Sequence, residues 1–428
     1  MVNSGRTTYG PDASNPQGSV YAYHEVSQNA AGSPGFAGDQ YSTAIDVQGQ
    51  GYIPATQHGQ PVEGSQCQAI ANMFCTKLNV LLIFVPLGIV SHYQEWGPLS
   101  VFTFNFMAIV PLAAILGGAT EKLAAHTGQM IGGLMNATFG NAVEMMVTVN
   151  AIKAGLVTVV QGSLIGSILS NLLLVLGMAF LAAGFVQKES VFNEMGAAAN
   201  VVCLALGAVA LALPAVFTTI EGTSKQDVLE VSRASSGIVA AAYICFLVFQ
   251  LCTHSEMFAG EDEDEEEANL GLCPAIMILL LATVAVAFCS ELLVDSIEGV
   301  TEDYGLPEAF IGVILLPIVG NAAEHATAVT MAVKGKMDLS LGVAVGSSTQ
   351  IALLVVPFSV IVGWCYDVPM TLDFRPFDTS VLLLSVLMIS LVLRDGASNW
   401  LEGAILIAIY VLVGIMCWFI PKHEHGEA

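Results

Sequence analysis

Long apolar segments set the strongest limit on how this chain can fold. Eleven of them lie at roughly 78–94, 101–125, 130–153, 157–184, 197–217, 232–253, 273–297, 307–334, 337–364, 379–394 and 400–420. About 20 apolar residues in a helix cross the hydrocarbon core of a bilayer, and backbone exposed to lipid must satisfy its hydrogen bonds within the segment. The pattern therefore predicts an all-α integral membrane protein with about eleven transmembrane helices.

Composition supports a membrane protein and excludes other classes. Of the 428 residues, 55% are hydrophobic and only 11% are charged, and the mean hydropathy is +0.71. The formal net charge of −24 excludes a nucleic-acid-binding protein, because such proteins carry a basic surface. The nine cysteines lack the spacing of a metal site, so no cofactor is expected. The lipid bilayer is the expected partner, and the oligomeric state stays open.

Shifts in composition divide the chain into regions. Residues 1–75 are rich in small and polar residues and are predicted to form a disordered hydrophilic tail, followed by an extra N-terminal transmembrane helix at 78–94. The acidic run 261–267 is too charged to enter a bilayer, so it belongs to a cytosolic linker or helix at 254–272. This linker separates two predicted five-helix units, at 101–253 and 273–420, and residues 421–428 form a C-terminal tail.

The two five-helix units are related by duplication. Residues 132–167 aligned without a gap on residues 312–347 give ten identities in 36 positions, and the matches include an Asn, a Glu and a Ser. An odd number of helices in each unit places the second unit upside down in the membrane relative to the first, as in the inverted repeats of secondary transporters. The sequence therefore predicts two inverted five-helix repeats.

Each repeat carries a glutamate midway along an apolar segment. The phrase Gly-Asn-Ala-Val-Glu at 140–144 matches Gly-Asn-Ala-Ala-Glu at 320–324. An ionisable side chain inside a membrane costs several kcal/mol, so it is kept mainly where it binds or moves something charged. In an inverted repeat the two glutamates, Glu144 and Glu324, are expected to meet near the pseudo-twofold axis and to form one shared ion site.

The Gly-Asn pairs predict interrupted helices. Glycine costs helix stability and Asn competes for backbone hydrogen bonds, so an interruption there exposes backbone carbonyls to a cavity. Carboxylates, amides and carbonyls together make an all-oxygen cage that suits a hard divalent cation such as Ca²⁺ or Mn²⁺. A purely structural role in helix packing is the alternative. The candidate ion-binding residues are Gly140, Asn141, Glu144, Gly320, Asn321 and Glu324, with Glu144 and Glu324 as the metal ligands.

Polar residues near the two phrases are candidates for supporting roles. Ser167, Ser347 and Gln350 lie in the segments that follow, and they offer oxygen atoms to an ion or to the glutamates. His325 follows Glu324, and histidine titrates near neutral pH in water, so it is a candidate for proton release. Adjacent residues on a helix point about 100° apart, so a packing or hydrogen-bonding role for His325 is the alternative.

Acidic residues outside the two phrases are candidates for an ion entry path or for regulation. Acidic surfaces attract cations, although plain solvent exposure explains such residues as well. The candidates near helix ends are Glu121, Glu291, Asp295 and Glu298, and those in the acidic run are Glu261, Asp262, Glu263, Asp264, Glu265, Glu266 and Glu267.

At these residues the chain resembles the vacuolar-type Ca²⁺/H⁺ exchangers, the cation/proton branch of the calcium/cation antiporter superfamily. The resemblance covers roughly residues 78–420. It rests on Asn-Ala-Thr-Phe-Gly-Asn-Ala-Val-Glu at 136–144, Gly-Asn-Ala-Ala-Glu-His at 320–325 and Gly-Ser-Ser-Thr-Gln-Ile-Ala-Leu at 346–353. It implies that Glu144 and Glu324 bind the transported ion and that residues 261–267 form a cytosolic helix. It also implies a vacuolar or related acidic-organelle membrane.

Residues and resemblance together predict a secondary active antiporter rather than an enzyme. A carboxylate binds Ca²⁺ only when it is ionised, so protons and metal compete for the same oxygens. Cytosolic Ca²⁺, with Mn²⁺ as a further candidate, would exchange for lumenal protons by alternating access, and each pH unit supplies about 1.36 kcal/mol per proton. Walker and kinase-type phosphate loops are missing, which argues against direct use of ATP.

Two other functions are compatible with the sequence, and the basic residues favour one orientation in the membrane. Na⁺/Ca²⁺ exchange is the runner-up because the superfamily shares the duplicated architecture, and a Ca²⁺-permeable channel with a carboxylate filter is a candidate from a different class. A cytosolic N-terminus and a lumenal C-terminus are slightly favoured. That orientation places seven basic residues near the cytosol and five on the other side.

Overall fold

A computed structural model of the chain describes residues 63–127, 129–255 and 270–420. The acidic run 261–267, the tail 421–428 and most of the N-terminal tail lie outside the described residues. The predicted disordered tail overlaps a helix, α1 (Glu63–Phe74), so that prediction is wrong over this stretch. Ile70 and Met73 give the physical reason, because both pack against the apolar core.

The first half of the described chain folds into nine α-helices and one short strand. After α1, a 3₁₀ helix at Lys77–Ile83 leads into α2 (Phe84–Tyr93), followed by α3 (Pro98–Ala124), α4 (Gln129–Phe139), α5 (Ala142–Lys153), α6 (Val157–Leu169), α7 (Leu176–Ala183), β1 (Ser190–Val191), α8 (Glu194–Phe217) and α9 (Lys225–Val248). A π-helical turn at Ser170–Val175 joins α6 to α7, and another at Phe249–Thr253 extends α9.

The second half follows a similar order with more π-helical turns. Its elements are α10 (Leu272–Asp295), α11 (Ile297–Tyr304), α12 (Glu308–Phe310), α13 (Leu316–Gly320), α14 (Ala322–Val333), α15 (Met337–Leu341), α16 (Ser347–Gln350), α17 (Val356–Cys365), α18 (Pro376–Val392), β2 (Ala397–Ser398) and α19 (Trp400–Phe419). The π-helical turns lie at Ile311–Leu315, Gly342–Gly346 and Ile351–Val355.

Helix length and apolar composition fit a protein that crosses the membrane many times. Among the described residues, seven helices are long and apolar enough to span a bilayer, or nine if each of two bent helix pairs is one span. The shorter apolar helix α18 covers most of the predicted segment 379–394, and α4 with α5 covers 130–153. The all-α membrane class is confirmed apart from the two-residue strands, while the number eleven stays a prediction.

Both Gly-Asn pairs interrupt a helix, as the sequence predicts. The break lies at Gly140 and Asn141 between α4 and α5, and at Asn321 between α13 and α14. At the second break the helix axis bends by 58°. The φ/ψ angles are −99°/16° at Asn141 and −94°/11° at Asn321, so the two repeats break in the same way.

The first helices of the two predicted repeats, α3 and α10, pack side by side in opposite directions. Near the start of α3, a Cβ atom on Gly299 would lie 2.7 Å from Pro98. Beyond the other end of α3, Nε2 of His126 lies 2.6 Å from the carbonyl oxygen of Leu270, which precedes α10. Equivalent helices that run antiparallel are what an inverted duplication requires.

Helix α6 lies in the centre of the bundle, and all its residues from Gly162 to Leu169 are buried. It approaches the segment Glu308–Gly320 so closely that a Cβ on Gly166 would overlap the carbonyl oxygen of Val313. Glycine permits such backbone contact between membrane helices, where packing rather than the hydrophobic effect holds helices together. The two repeats are therefore joined through α6, the second helix after the first Gly-Asn pair.

Two non-helical connections are also ordered by contacts. Strands β1 and β2 pair antiparallel and link the segments that precede α8 and α19. The loop between α17 and α18 packs into the bundle, with Leu372 and Phe374 each 1% exposed. Its backbone is bonded to two helices, because Leu372 N donates to Ser232 Oγ at 2.9 Å and Gln161 Nε2 donates to the carbonyl of Asp373 at 3.2 Å.

Candidate functional site

Glu144 lies in the first turn of α5, directly after the first helix break. Its side chain is buried, and its Oε1 atom has no hydrogen-bond partner among the described residues. The same atom faces the second break, because a Cβ on Gly320 would lie 2.7 Å from it. The absence of a side chain at Gly320 therefore makes room for the carboxylate of the other repeat.

Glu324 lies in the first turn of α14 and is partly buried. Its Oε1 accepts a hydrogen bond from Ser347 Oγ at 2.8 Å, and its Oε2 accepts one from Asn171 Nδ2 at 3.0 Å. Ser347 belongs to the same repeat as Glu324, whereas Asn171 belongs to the other. The position of this carboxylate is thus fixed by both repeats together.

The two asparagines of the broken helices differ in their contacts. Asn141 donates to the carbonyl oxygen of Ala137 at 2.9 Å and to Oε1 of Gln350 at 2.8 Å. Asn321 is equally buried, but its Nδ2 has no hydrogen-bond partner in the part of the chain that the structure describes. Gln350 lies in the second repeat, so its bond with Asn141 is another link between the repeats at the level of the carboxylates.

The remaining supporting candidates divide into two groups. The Nε2 atom of His325 lies 3.2 Å from Oγ of Ser170, at the start of the π-helical turn after α6. Ser167 is buried in α6, but no described hydrogen bond joins it to Glu144. Of the four supporting candidates, Ser347 thus contacts a glutamate directly and Gln350 contacts Asn141.

The electrostatics of the site leave a net negative charge to be neutralised. Oε1 of Glu144 faces Gly320, which precedes Glu324 by one helical turn, so the two carboxylates lie in the same part of the bundle. Among the described residues, neither carboxylate forms an ion pair with a basic side chain. Two like charges in a low-dielectric interior require a cation or protons. The arrangement can hold either, and the described residues contain no group of three or more His, Cys, Asp and Glu side chains for a tighter metal centre.

Oxygen atoms without donors lie around the two carboxylates. In addition to Oε1 of Glu144, the buried Oδ1 of Asn171 has no hydrogen-bond partner within the described residues. Hard divalent cations take several oxygen ligands from carboxylates, amides, backbone carbonyls and water. A helix end leaves backbone carbonyls without an intrahelical partner, so the ends of α4 and α13 are where further oxygen ligands are expected.

The four acidic candidates near helix ends do not share one entrance. Glu291, Asp295 and Glu298 are exposed and lie at the end of α10 and the start of α11. Glu121 is exposed near the end of α3, which lies at the opposite end of the antiparallel pair α3 and α10. The interpretation of all four as one entry path is therefore corrected, because inversion places equivalent positions on opposite sides. Residues 261–267 lie outside the described residues.

Asn171 and Ser170 were not predicted as site residues. They follow α6 in the first π-helical turn, and they contact Glu324 and His325 of the other repeat. A sequence signal was available, because Ser170 is aligned with Gln350 in the same ungapped register. The contact itself depends on how the repeats pack, which local spacing does not reveal.

An inverted repeat, matched helix breaks and two intramembrane carboxylates are the features of a secondary ion transporter. The family model for the sodium/calcium exchanger protein matches residues 97–252 and 274–419. The chain belongs to this family.

Individual relatives agree with this family. The chain is 43% identical over 350 residues to the vacuolar calcium ion transporter of Schizosaccharomyces pombe, covering 80% of this chain and 85% of the relative. It is 46% identical over 355 residues to vacuolar cation/proton exchanger 3 of Oryza sativa subsp. japonica, with the same coverage. The solved structure of native YfkE matches with a TM-score of 0.71 and 37% identity, covering 80% of this chain and 100% of that chain.

Proposed function

We propose that the protein is a secondary active antiporter that exchanges cytosolic Ca²⁺ for protons, with Glu144 and Glu324 as the shared binding site. The observation that carries this proposal is the convergence of the two carboxylates. Oε1 of the buried Glu144 faces Gly320 at the second helix break without a donor, and Glu324 lies one turn further along. The relatives named as calcium transporters and cation/proton exchangers support the same assignment.

The proposed exchange follows from competition for the carboxylate oxygens. With both glutamates ionised, the site attracts a divalent cation, and Asn171 and the carbonyls at the breaks supply further oxygens. When protons bind the glutamates, the negative charge is lost and the cation leaves. A site that is neutralised in either way can reorient across the membrane, whereas an empty, doubly charged site is costly to move through lipid. Because only a neutralised site reorients, Ca²⁺ movement in one direction is coupled to proton movement in the other.

The membrane, the orientation and the ion range are part of the same proposal. A vacuolar or related acidic-organelle membrane supplies the proton gradient, and two of the relatives are named as vacuolar proteins. We place the N-terminus in the cytosol and the C-terminus in the lumen. Mn²⁺ is a second candidate cargo because it also prefers oxygen ligands. The predicted domain boundaries belong to the proposal in the same way.

A flux assay in sealed proteoliposomes tests the exchanger. With an acidic interior, wild-type protein should accumulate Ca²⁺, and collapse of the pH gradient should stop the uptake. Glu144→Gln and Glu324→Gln should each reduce uptake to the level of empty vesicles, because a neutral amide can neither bind Ca²⁺ as a carboxylate does nor carry the proton. Glu189→Gln, which changes an exposed glutamate outside the site, is the matched control. Normal uptake by either site variant would remove that residue from the site.

Na⁺/Ca²⁺ exchange is the second candidate, because the matching family model is described by that activity. The same vesicles distinguish the two exchangers when an outward Na⁺ gradient replaces the pH gradient. Ca²⁺ uptake that follows the Na⁺ gradient and ignores the pH gradient would replace the proton with Na⁺ in the proposal. Ca²⁺ entry that only follows its own concentration gradient, in either direction, would indicate a channel.

A further inference from the structure

Equivalent glycines in the two repeats have different surroundings. Gly162 and Gly166 on α6 are aligned with Gly342 and Gly346 in the ungapped register. A Cβ on Gly166 would overlap the backbone of Val313, so this glycine is required by a close contact. At Gly342 and Gly346, by contrast, no atom of a neighbouring element in the described part of the chain lies within 4 Å of the position that a Cβ would occupy. One pair of glycines is packed and its copy faces open space.

The helix surfaces equivalent to each other in the two repeats, which these glycines would face, differ in burial. Gly162 and Gly166 pack on the helix before the second break, where Ile311 is 0% exposed and Ile314 is 6% exposed. The counterpart of that helix is α4, where the equivalent Ile131 and Leu134 are 55% and 50% exposed. Within the described residues, α4 makes no extensive contact with the segment 337–350. Among the described residues, this contact between helices is thus made on one side of the pseudo-twofold axis and absent on the other, where Gly133 of α4 packs against Leu251 instead.

Open glycines in a helix need a physical reason. Glycine in a helix interior is destabilising relative to alanine, and nothing in this state prevents a side chain at either position. Inverted repeats, however, can exchange conformations, so that the interface that is closed in one repeat opens while the other closes. A surface that is open in this state would then be packed in the opposite state.

We propose that Gly342 and Gly346 form a contact face for α4 that is used only in the opposite state of the transport cycle. The inference rests on the proposed function, because exchange by alternating access requires two states. In the ungapped register, the contact of Gly166 with Val313 becomes a contact of Gly346 with Gly133. The glycines are retained so that the backbones of α4 and the segment 342–346 can meet when the open side closes.

The packed interface also shows that the two glycine positions tolerate added side-chain volume to different degrees. A Cβ on Gly166 would overlap backbone, whereas a Cβ on Gly162 would lie 3.4 Å from the Cα of Gly312, which is ordinary contact. Transferred to the open side, this difference means that alanine at position 346 blocks closure. Alanine at position 342 does not block closure, but the larger valine at position 342 does.

Ca²⁺ uptake and Ca²⁺ binding, measured on the same purified full-length variants, test the proposal. Gly346→Ala and Gly342→Val should each reduce pH-driven uptake into proteoliposomes by about tenfold or more, because a close backbone contact does not tolerate extra volume. Gly342→Ala should stay within about twofold of wild type, as an ordinary substitution does. Gly237→Ala is the matched control, since Gly237 is a helical, exposed glycine with nothing within 4 Å of its Cβ position. The melting temperature, and its rise on adding Ca²⁺, should be unchanged in all four variants.

Two results would overturn the contact face. Uptake by Gly346→Ala at the level of the Gly237→Ala control would show that closure needs no glycine there. Loss of uptake together with loss of the Ca²⁺-induced rise in melting temperature would place Gly346 in the binding site or fold of the present state instead. A wild-type protein that shows no pH-driven uptake is a different result, because it overturns the proposed exchanger and the contact face with it.

Discussion

Glu144 and Glu324 occupy equivalent positions in the two repeats, yet their surroundings differ. Glu324 accepts hydrogen bonds from Ser347 and Asn171, whereas Oε1 of Glu144 faces Gly320 without a donor. A buried acceptor without a partner costs about 1–3 kcal/mol, and a bound cation or proton removes that cost. The comparison indicates that hydrogen bonds position the Glu324 carboxylate before an ion binds. The Glu144 carboxylate gains a partner only when a cation or a proton binds.

The cause of this difference lies in positions that the duplication did not preserve. Asn171 is aligned with Ile351, which has no donor to offer Glu144. His325 is aligned with Met145, so the side chain that reaches Ser170 also lacks a counterpart. The two repeats therefore keep the same carboxylates and the same helix breaks but assign them different partners.

Among substitutions that keep both glutamates, the largest effect is expected from filling the space beside the Glu144 carboxylate. Gly320→Ala places a Cβ 2.7 Å from Oε1 of Glu144 and forces the flexible carboxylate to move. Overpacking costs about 1–3 kcal/mol, so the apparent Ca²⁺ affinity in uptake assays should fall about thirtyfold. Gly117→Ala is the control, because its Cβ meets no atom within 4 Å. Unchanged affinity in Gly320→Ala would mean that Glu144 does not bind the ion from this position.

Removing the donor that comes from the other repeat should have the next largest effect. Asn171→Ile introduces the residue that the second repeat has at this position, and it deletes the 3.0 Å bond to Glu324 together with a free amide oxygen. A hydrogen bond to a charged group is worth about 1.5–3 kcal/mol, so the KM for Ca²⁺ should rise about tenfold. Asn200→Ile, a buried asparagine on α8, controls for the loss of a buried amide. Equal KM values in the two variants would contradict a special role for Asn171.

A smaller difference is expected between substitutions of Ser347 and Ser167, the two serines that occupy equivalent positions in the repeats. Ser347 donates to Glu324 at 2.8 Å, whereas Ser167 makes no described hydrogen bond to Glu144. Ser347→Ala should raise the KM for Ca²⁺ about threefold, less than Asn171→Ile does, because it deletes one bond to the same Glu324 carboxylate but leaves the free amide oxygen of Asn171 in place. Ser167→Ala should leave the KM unchanged. Equal effects of the two substitutions would show that the two half-sites are more alike than their contacts indicate.

The smallest effect is expected at Asp373, which lies in the loop between α17 and α18 rather than in the ion site. Burial raises the pKa of Asp373 above the ordinary aspartate value of 3.8, and a hydrogen bond involving Thr218 opposes the rise. The folded protein therefore binds this proton more tightly than the unfolded chain does. The stability contributed by the protonated form is lost as the pH rises from 3.8 through the raised value.

Asp373→Asn removes this loss, and it introduces the residue aligned at Asn193 in the first repeat. The variant should match wild type in melting temperature at strongly acidic pH and should exceed it slightly at neutral pH. The measurement is a thermal melt of purified protein across that range. A constant difference at every pH would assign the effect to packing rather than to ionisation.

Much of the fold could be predicted because its signals are local or repeated. Apolar length predicts membrane helices, and the Gly-Asn phrases predict the breaks at Asn141 and Asn321 that the structure contains. The aligned repeats predict the convergence of Glu144 and Glu324. The sequence pattern does not predict the helix Glu63–Phe74, because its apolar Ile70 and Met73 gain their apolar surroundings from the rest of the bundle.

The partners of the carboxylates were harder to predict because they depend on packing between repeats. Asn171 is 153 residues away from Glu324 in the chain, and nothing local to either residue indicates their contact. The grouping of Glu121 with Glu291 failed for a related reason. Equivalent positions in an inverted repeat lie at opposite ends of the bundle, as the antiparallel α3 and α10 require.

Calorimetric titration of Ca²⁺ into the purified protein, repeated at several pH values and in buffers of different ionisation enthalpy, tests the central claim most directly. If Glu144 and Glu324 form one site for which Ca²⁺ and protons compete, Ca²⁺ binding should release protons and should weaken steadily as the pH falls. Glu144→Gln or Glu324→Gln should abolish both the binding and the proton release. Calcium binding of constant affinity across pH, with no protons released, would contradict the account.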